Sequence, residues 1–154
     1  MLRRIVFGLV VGTLSATTAF AQAAPAAAAQ AAPTARLFAS DAGMVLNFIK
    51  PDKTADFESV IGKLKEALNK SEKPERKQQA ASWKVFKSPD PAAGGNVLYV
   101  FMIDPAVKGA DYTVSTILAE AFPTEVQTLY KQYAEAYASG QNFVNLQLIS
   151  DLKP

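Results

Sequence analysis

Asn96-Val97-Leu98-Tyr99-Val100-Phe101-Met102-Ile103 is the stretch that decides how this chain is built. It has the length and the β-branched and aromatic content of a strand. Side chains alternate across a strand, so Val97, Tyr99, Phe101 and Ile103 face one way and Leu98, Val100 and Met102 the other. Both faces are apolar. The helices a short chain supplies blanket one side of a sheet, so the second side is expected to meet a partner subunit, a ligand or both.

Upstream, Ser82 to Lys87 reads as the neighbouring strand, with Trp83 and Val85 on one face and Phe86 on the other. Ser88-Pro89-Asp90-Pro91 and Gly94-Gly95 join the two as an antiparallel hairpin. An earlier strand runs from Met44 to Lys50, with Met44, Leu46 and Phe48 on one side and Val45, Asn47 and Ile49 on the other. Pro51 ends it. Asp52 or Thr54 is placed to cap the next helix, and Asp56 and Glu58 occupy its first turn, where acidic groups suit the positive end of the helix dipole. Phe57, Val60, Ile61, Leu64 and Leu68 form one stripe along it, and the helix is expected to stop near Asn69. Ser71 to Ala81 is polar, contains Pro74, and reads as a loop with at most a helical turn.

Downstream, a helix begins near Thr113 with Val114, Ile117, Leu118, Ala121 and Phe122 as its stripe, and Pro123 interrupts it. A second helical stretch carries Val126, Leu129, Tyr130, Tyr133 and Tyr137 toward Gly140 as a C-terminal cap. The last strand is expected from Phe143 to Ile149, with Val144, Leu146 and Leu148 on its apolar side. Strand, helix, strand, strand, helix, strand is the ferredoxin-like βαββαβ order. The expected fold class is therefore α+β, with an antiparallel sheet, helices on one face, and the other face covered by a dimer partner or ligand.

Residues 1–21 read as a secretory signal peptide: Arg3 and Arg4 precede the apolar run Ile5 to Leu14, and Ala19-Phe20-Ala21 sets cleavage before Gln22. The apolar run is short for a span of about 20 residues, so no stable membrane insertion is expected after cleavage. Residues 22–36 form an Ala/Pro/Gln-rich linker, and residues 37–154 one α+β domain. The expected location is the periplasm or the cell exterior. The formal charge of +2 resides in Arg3 and Arg4, so the remaining 14 basic and 14 acidic residues balance. The lysines between Lys63 and Lys87 read as a solvated helix face and loop, and no nucleic-acid partner is expected.

Cysteine is absent, which removes disulfides, thiolate nucleophiles and cysteine metal sites. Histidine is absent as well, so neither a metal site nor any other cofactor is expected. The carboxylates Asp104, Asp111, Glu120 and Glu125 have no spacing that singles out an acid and base pair. Tyr130, Tyr133 and Tyr137 fall at i, i+3 and i+7, a spacing that serves core-edge packing or a ligand platform.

Val45-Leu46-Asn47-Phe48-Ile49-Lys50-Pro51-Asp52-Lys53, running into a helix with Phe57 near its start, resembles the first strand and helix of the dimeric α/β-barrel superfamily, in particular its antibiotic-biosynthesis-monooxygenase-like members. The hairpin opening Trp83-Lys84-Val85-Phe86 and the closing strand are similar too. The resemblance implies two sheets packed across a homodimer interface. The haem-degrading branch of that superfamily uses an Asn, a Trp and a His; Asn47 and Trp83 invite comparison, but this chain has no histidine. Cofactor-independent oxygenases of this fold hold an electron-rich substrate among aromatic and polar side chains. The candidate ligand-binding residues are accordingly Asn47, Trp83, Tyr99, Phe101, Asn145 and Gln147, with no catalytic residue assigned. The leading expectation is a non-catalytic dimeric binding or structural module, with a small apolar ligand held between sheet and partner. An oxygenase of the kind just named and an envelope protein-protein interaction module are the alternatives.

Overall fold

The computed structural model describes residues 35–152; the signal segment at residues 1–21 and all of the linker before Ala35 lie outside them. Four strands form one antiparallel sheet: β1 (Ala42–Ile49), β2 (Trp83–Pro91), β3 (Val97–Ile103) and β4 (Tyr137–Leu146), in spatial order β2-β3-β1-β4. Four helices accompany them: α1 (Thr54–Lys70), α2 (Pro74–Ser82), α3 (Val114–Ala121) and α4 (Val126–Ala136). The α+β class expected from the sequence is what the chain adopts.

The alternation read in β1 and β3 sorts their side chains by burial. Val45, Asn47 and Ile49 on β1, and Tyr99, Phe101 and Ile103 on β3, are buried. Phe57, Val60, Leu64, Ala67 and Leu68 of α1 join them in one core with Ile117 and Leu118 of α3 and Leu129 and Tyr133 of α4. The Phe57 ring centres this layer, 4.7 Å from Tyr99, 6.2 Å from Phe101 and 5.8 Å from Tyr133 between centroids. On the opposite face Met44, Leu46, Phe48, Leu98, Val100 and Met102 remain half-buried, and Phe86 is 52 % exposed. Leu46 and Val100 stand directly opposite each other at the middle of that face.

Three local expectations are corrected. Residues 74–82 form a helix, with Pro74 in its first turn, where a missing amide hydrogen costs nothing. Its buried side chains are Arg76, Gln79 and Ser82, so it has no apolar stripe to read. The Arg76 guanidinium donates to the Glu120 carboxylate at 2.9 and 3.2 Å, to Gln79 Oε1 at 2.7 Å and to the Asp111 carbonyl at 2.7 Å. Polar bonds therefore dock α2. At α1, neither Asp52 nor Thr54 acts as a cap; Lys53 holds that position without a side-chain bond and pairs instead with Asp56 at 3.1 Å.

The third correction matters most. The helix expected to reach Gly140 stops at Ala136, because Tyr137 onward pairs with β1, Tyr137 opposite Ile49 and Gln141 opposite Asn47. β4 then ends at Leu146, opposite Ala42 where β1 begins. Leu148 and Ile149, expected inside the strand, are 78 % and 95 % exposed.

Candidate ligand-binding cleft

The early start of β4 brings two tyrosines that share a helical spacing onto different elements. Tyr133 stays on α4, while Tyr137 opens β4, and their rings meet edge to face at 5.1 Å. Tyr137 and Gln141 lie on the core side of β4, next to Asn47 on β1. A cleft of about 670 Å³ opens here, floored by Val45, Phe101 and Phe143 and walled by Tyr133 and Tyr137.

Its polar floor is a closed hydrogen-bond network. The Asn47 amide nitrogen donates to the carbonyls of Val45 and Tyr99, both at 3.1 Å, which fixes the amide so that its oxygen faces β4. That oxygen accepts from the Tyr137 hydroxyl at 2.9 Å and from Gln141 Nε2 at 2.8 Å. Gln141 Nε2 also lies 3.0 Å from the Tyr133 hydroxyl and 2.9 Å from that of Tyr137, and the two hydroxyls are 2.6 Å apart. Asn47 is fully buried, and every polar atom of its side chain is partnered. Burial pushes the Tyr133 hydroxyl up to about 12, against the smaller opposing effect of its bonds to Tyr137 and Gln141. Tyr137 is also raised, by burial first and by Tyr133 second. Both are neutral phenols at ordinary pH.

The remaining wall is the segment before β1. Arg36 exchanges backbone bonds with the chain around Tyr112: its amide donates to Asp111 Oδ1 at 2.8 Å, and its carbonyl accepts from the Tyr112 amide at 2.9 Å. The Phe38 ring sits between Phe143 at 5.2 Å and Tyr112 at 5.1 Å. The Arg36 guanidinium lies 4.9 Å above the Phe143 ring at the edge of the cleft.

No family model, curated protein or solved structure matches this chain. The site therefore stands on its own geometry.

Of the residues expected at the site, Phe101 lines this cleft, and Asn47 lies fully buried behind it, bonded to the lining residues Tyr137 and Gln141. Tyr99 is buried beside them, but its hydroxyl points elsewhere, donating to Glu58, whose carboxylate also accepts from Lys87 at 2.9 Å. Burial raises Tyr99, and the bond with Tyr99 holds Glu58 below its usual range. Trp83 packs on Phe101 at 5.5 Å and Tyr112 at 5.3 Å and lines a separate crevice of about 410 Å³ with Leu64 and Leu68. Its indole Nε1 is buried without a partner. Asn145 accepts from the Ala39 amide at 2.9 Å and so pins the segment before β1, while Gln147 lies exposed beyond β4. Asn47, Tyr99 and Asn145 thus line no common pocket. Tyr137, Gln141 and Arg36 are members that sequence reading did not assign to the site; the tyrosine spacing was the one signal for the first of them.

Among the described residues there is no group of three or more acidic side chains placed to hold a metal ion, and no helix long and apolar enough to cross a membrane. Among the described residues the lining of the cleft contains no carboxylate, only phenols, the Gln141 amide, hydroxyls, apolar groups and Arg36.

Proposed function

We propose that this chain is a non-catalytic, homodimeric binding domain of ferredoxin-like topology that works outside the cytoplasm and holds a small, largely apolar molecule between its sheet and α4. The observation that carries the reading is the cleft whose aromatic walls converge on the Tyr133, Tyr137, Gln141 and Asn47 network. Its volume falls within the roughly 300–1,000 Å³ usual for small-molecule sites, and an apolar lining with a few fixed polar groups is their usual chemistry. The strand order β2-β3-β1-β4 supports the ferredoxin-like assignment. Export rests on the pattern of residues 1–21.

The dimer is supported by the opposite sheet face. Leu46, Phe48, Leu98, Val100 and Met102 make a contiguous apolar surface of a kind that monomers seldom leave to water. A second copy of the same face provides a matching cover in an isologous pairing. In this arrangement the ligand sits on the helix side of each sheet, and the partner covers the other.

The test is extraction of the protein purified from its own host, followed by mass spectrometry of the extract, in parallel with Ala134→Trp. Ala134 is an exposed wall residue of the cleft, so an indole there fills the space without disturbing the core. The expected result is a small molecule recovered in proportion to the native chain and lost from the variant. Identical extracts from the two proteins contradict the reading, and oxygen consumption by the bound molecule in the native protein alone turns it toward an oxygenase.

A further inference from the structure

The polar groups of the cleft are not all spent on each other, and those left over define a ligand. The Asn47 amide is locked by two backbone carbonyls, so its oxygen turns to β4 and Gln141 must present its NH2 to it. Four hydrogens, two from Gln141 and one from each tyrosine, then satisfy Asn47 Oδ1 twice and each phenol oxygen once. The donors are exhausted. Gln141 Oε1 has no partner, and since Trp83 Nε1 is the one buried unpartnered side-chain atom among the described residues, Gln141 Oε1 must be open to solvent. The network therefore offers an incoming molecule an acceptor and asks it for a donor.

At the rim, Arg36 is the one charged side chain among the described residues that line the cleft. Among the described residues its guanidinium forms no ion pair; it lies over Phe143, which leaves its edge donors unused. Its charge also acts on Tyr133 and Tyr137, opposing the effect of burial on both. A guanidinium matches a carboxylate with two parallel bonds. A polyphosphate would call for several cations, and the cleft has one.

We propose that the cleft takes a planar aromatic carboxylic acid that also carries a hydroxyl or amine, its carboxylate paired with Arg36, its ring among Tyr133, Tyr137 and Phe143, and its donor given to Gln141 Oε1. This deepens the binding reading above and rests on it. Neutral apolar molecules lack the group that Arg36 selects, and simple benzoates lack the donor that Gln141 accepts.

The test is calorimetric titration of the purified full chain with para-hydroxycinnamate and with its methyl ester, an uncharged analogue of nearly the same shape. The native protein is expected to bind the acid about tenfold more tightly than the ester, the size of one charge-assisted contact at a partly exposed site. Arg36→Gln should remove that difference by weakening the acid alone, and Ala134→Trp should abolish both. Equal affinity for acid and ester, or an acid affinity unchanged by Arg36→Gln, overturns the anion assignment while leaving a binding cleft in place. Binding of neither probe overturns the aromatic-acid assignment, and the extraction experiment then decides separately whether the cleft binds anything.

Discussion

Gly43 is the residue at which the segment before β1 meets the sheet most closely. A Cβ on Gly43 would collide with two carbons of the Phe38 ring, which is itself 3 % exposed, stacked on Phe143 and edge-on to Tyr112. Gly43→Ala must displace that ring and lower the melting temperature, at a cost of about 1–3 kcal/mol for an overpacked site. Because Phe38 holds the wall next to Arg36, the same variant should also weaken ligand retention. An unchanged thermal melt would remove Phe38 from the core. Asn47 presents the complementary case, a fully buried amide whose four bonds hold two strands and a tyrosine. Asn47→Leu removes one bond from each of two carbonyls, the Tyr137 hydroxyl and the Gln141 amide, so denaturant unfolding should report a loss of about 2–4 kcal/mol. A variant as stable as the native chain would mean that the four bonds of Asn47 add nothing to the fold.

At the scale of elements, α2 depends on one buried arginine. Arg76 is 2 % exposed and joins α2 to Glu120 on α3 and to the Asp111 carbonyl, with Lys73 also 3.1 Å from Glu120. Arg76→Met should destabilise the chain by about 3 kcal/mol, because removal of one member of a buried polar group strands the others. Glu120 gives this junction a pH signature. Its bond with Arg76, more than any other influence, holds its carboxyl below the ordinary value of 4.5. A depressed carboxyl stabilises the fold in full above its unfolded value, and that contribution is lost as pH falls through the lower folded value. Chemical unfolding between neutral pH and pH of about 3 should therefore show stability declining below about 4.5, with a shallower decline in Glu120→Gln. Equal slopes would sever Glu120 from the stability of α2.

The same elements explain how far the sequence could be read. β1, α1 and the pairing of β2 with β3 were legible because apolar residues recur at the period of each element and Pro51 and Gly94-Gly95 punctuate them, but β2 runs on to Pro91 through Ser88-Pro89-Asp90, residues read as part of the connection. The break at Pro123 was legible for the reason that proline cannot continue a helix. α2 was not, since its buried face is arginine, glutamine and serine. Tyr137 completed a helical stripe in sequence but was taken by β1 in the fold, a tertiary pairing that no local period reports. Asn47 and Phe101 could be singled out at the site; Gln141 and Arg36 could not, because their roles depend on partners distant in sequence.

For the molecule as a whole, the sheet has two unlike faces. Its core side carries the cleft and the helices, while its other side presents Leu46 and Val100 at the centre of an apolar surface. Leu46→Lys places a charge in the middle of that surface without touching the core side. Sedimentation should then report monomers in place of dimers, with the helical circular dichroism retained; an unaltered dimer would move the interface elsewhere. Native mass spectrometry of the chain from its own host counts subunits and bound small molecules in one spectrum. A dimer with one small-molecule increment per subunit is expected, and for Leu46→Lys a monomer that still carries it. A folded, ligand-free monomer of the native chain would contradict both the dimer and the binding cleft.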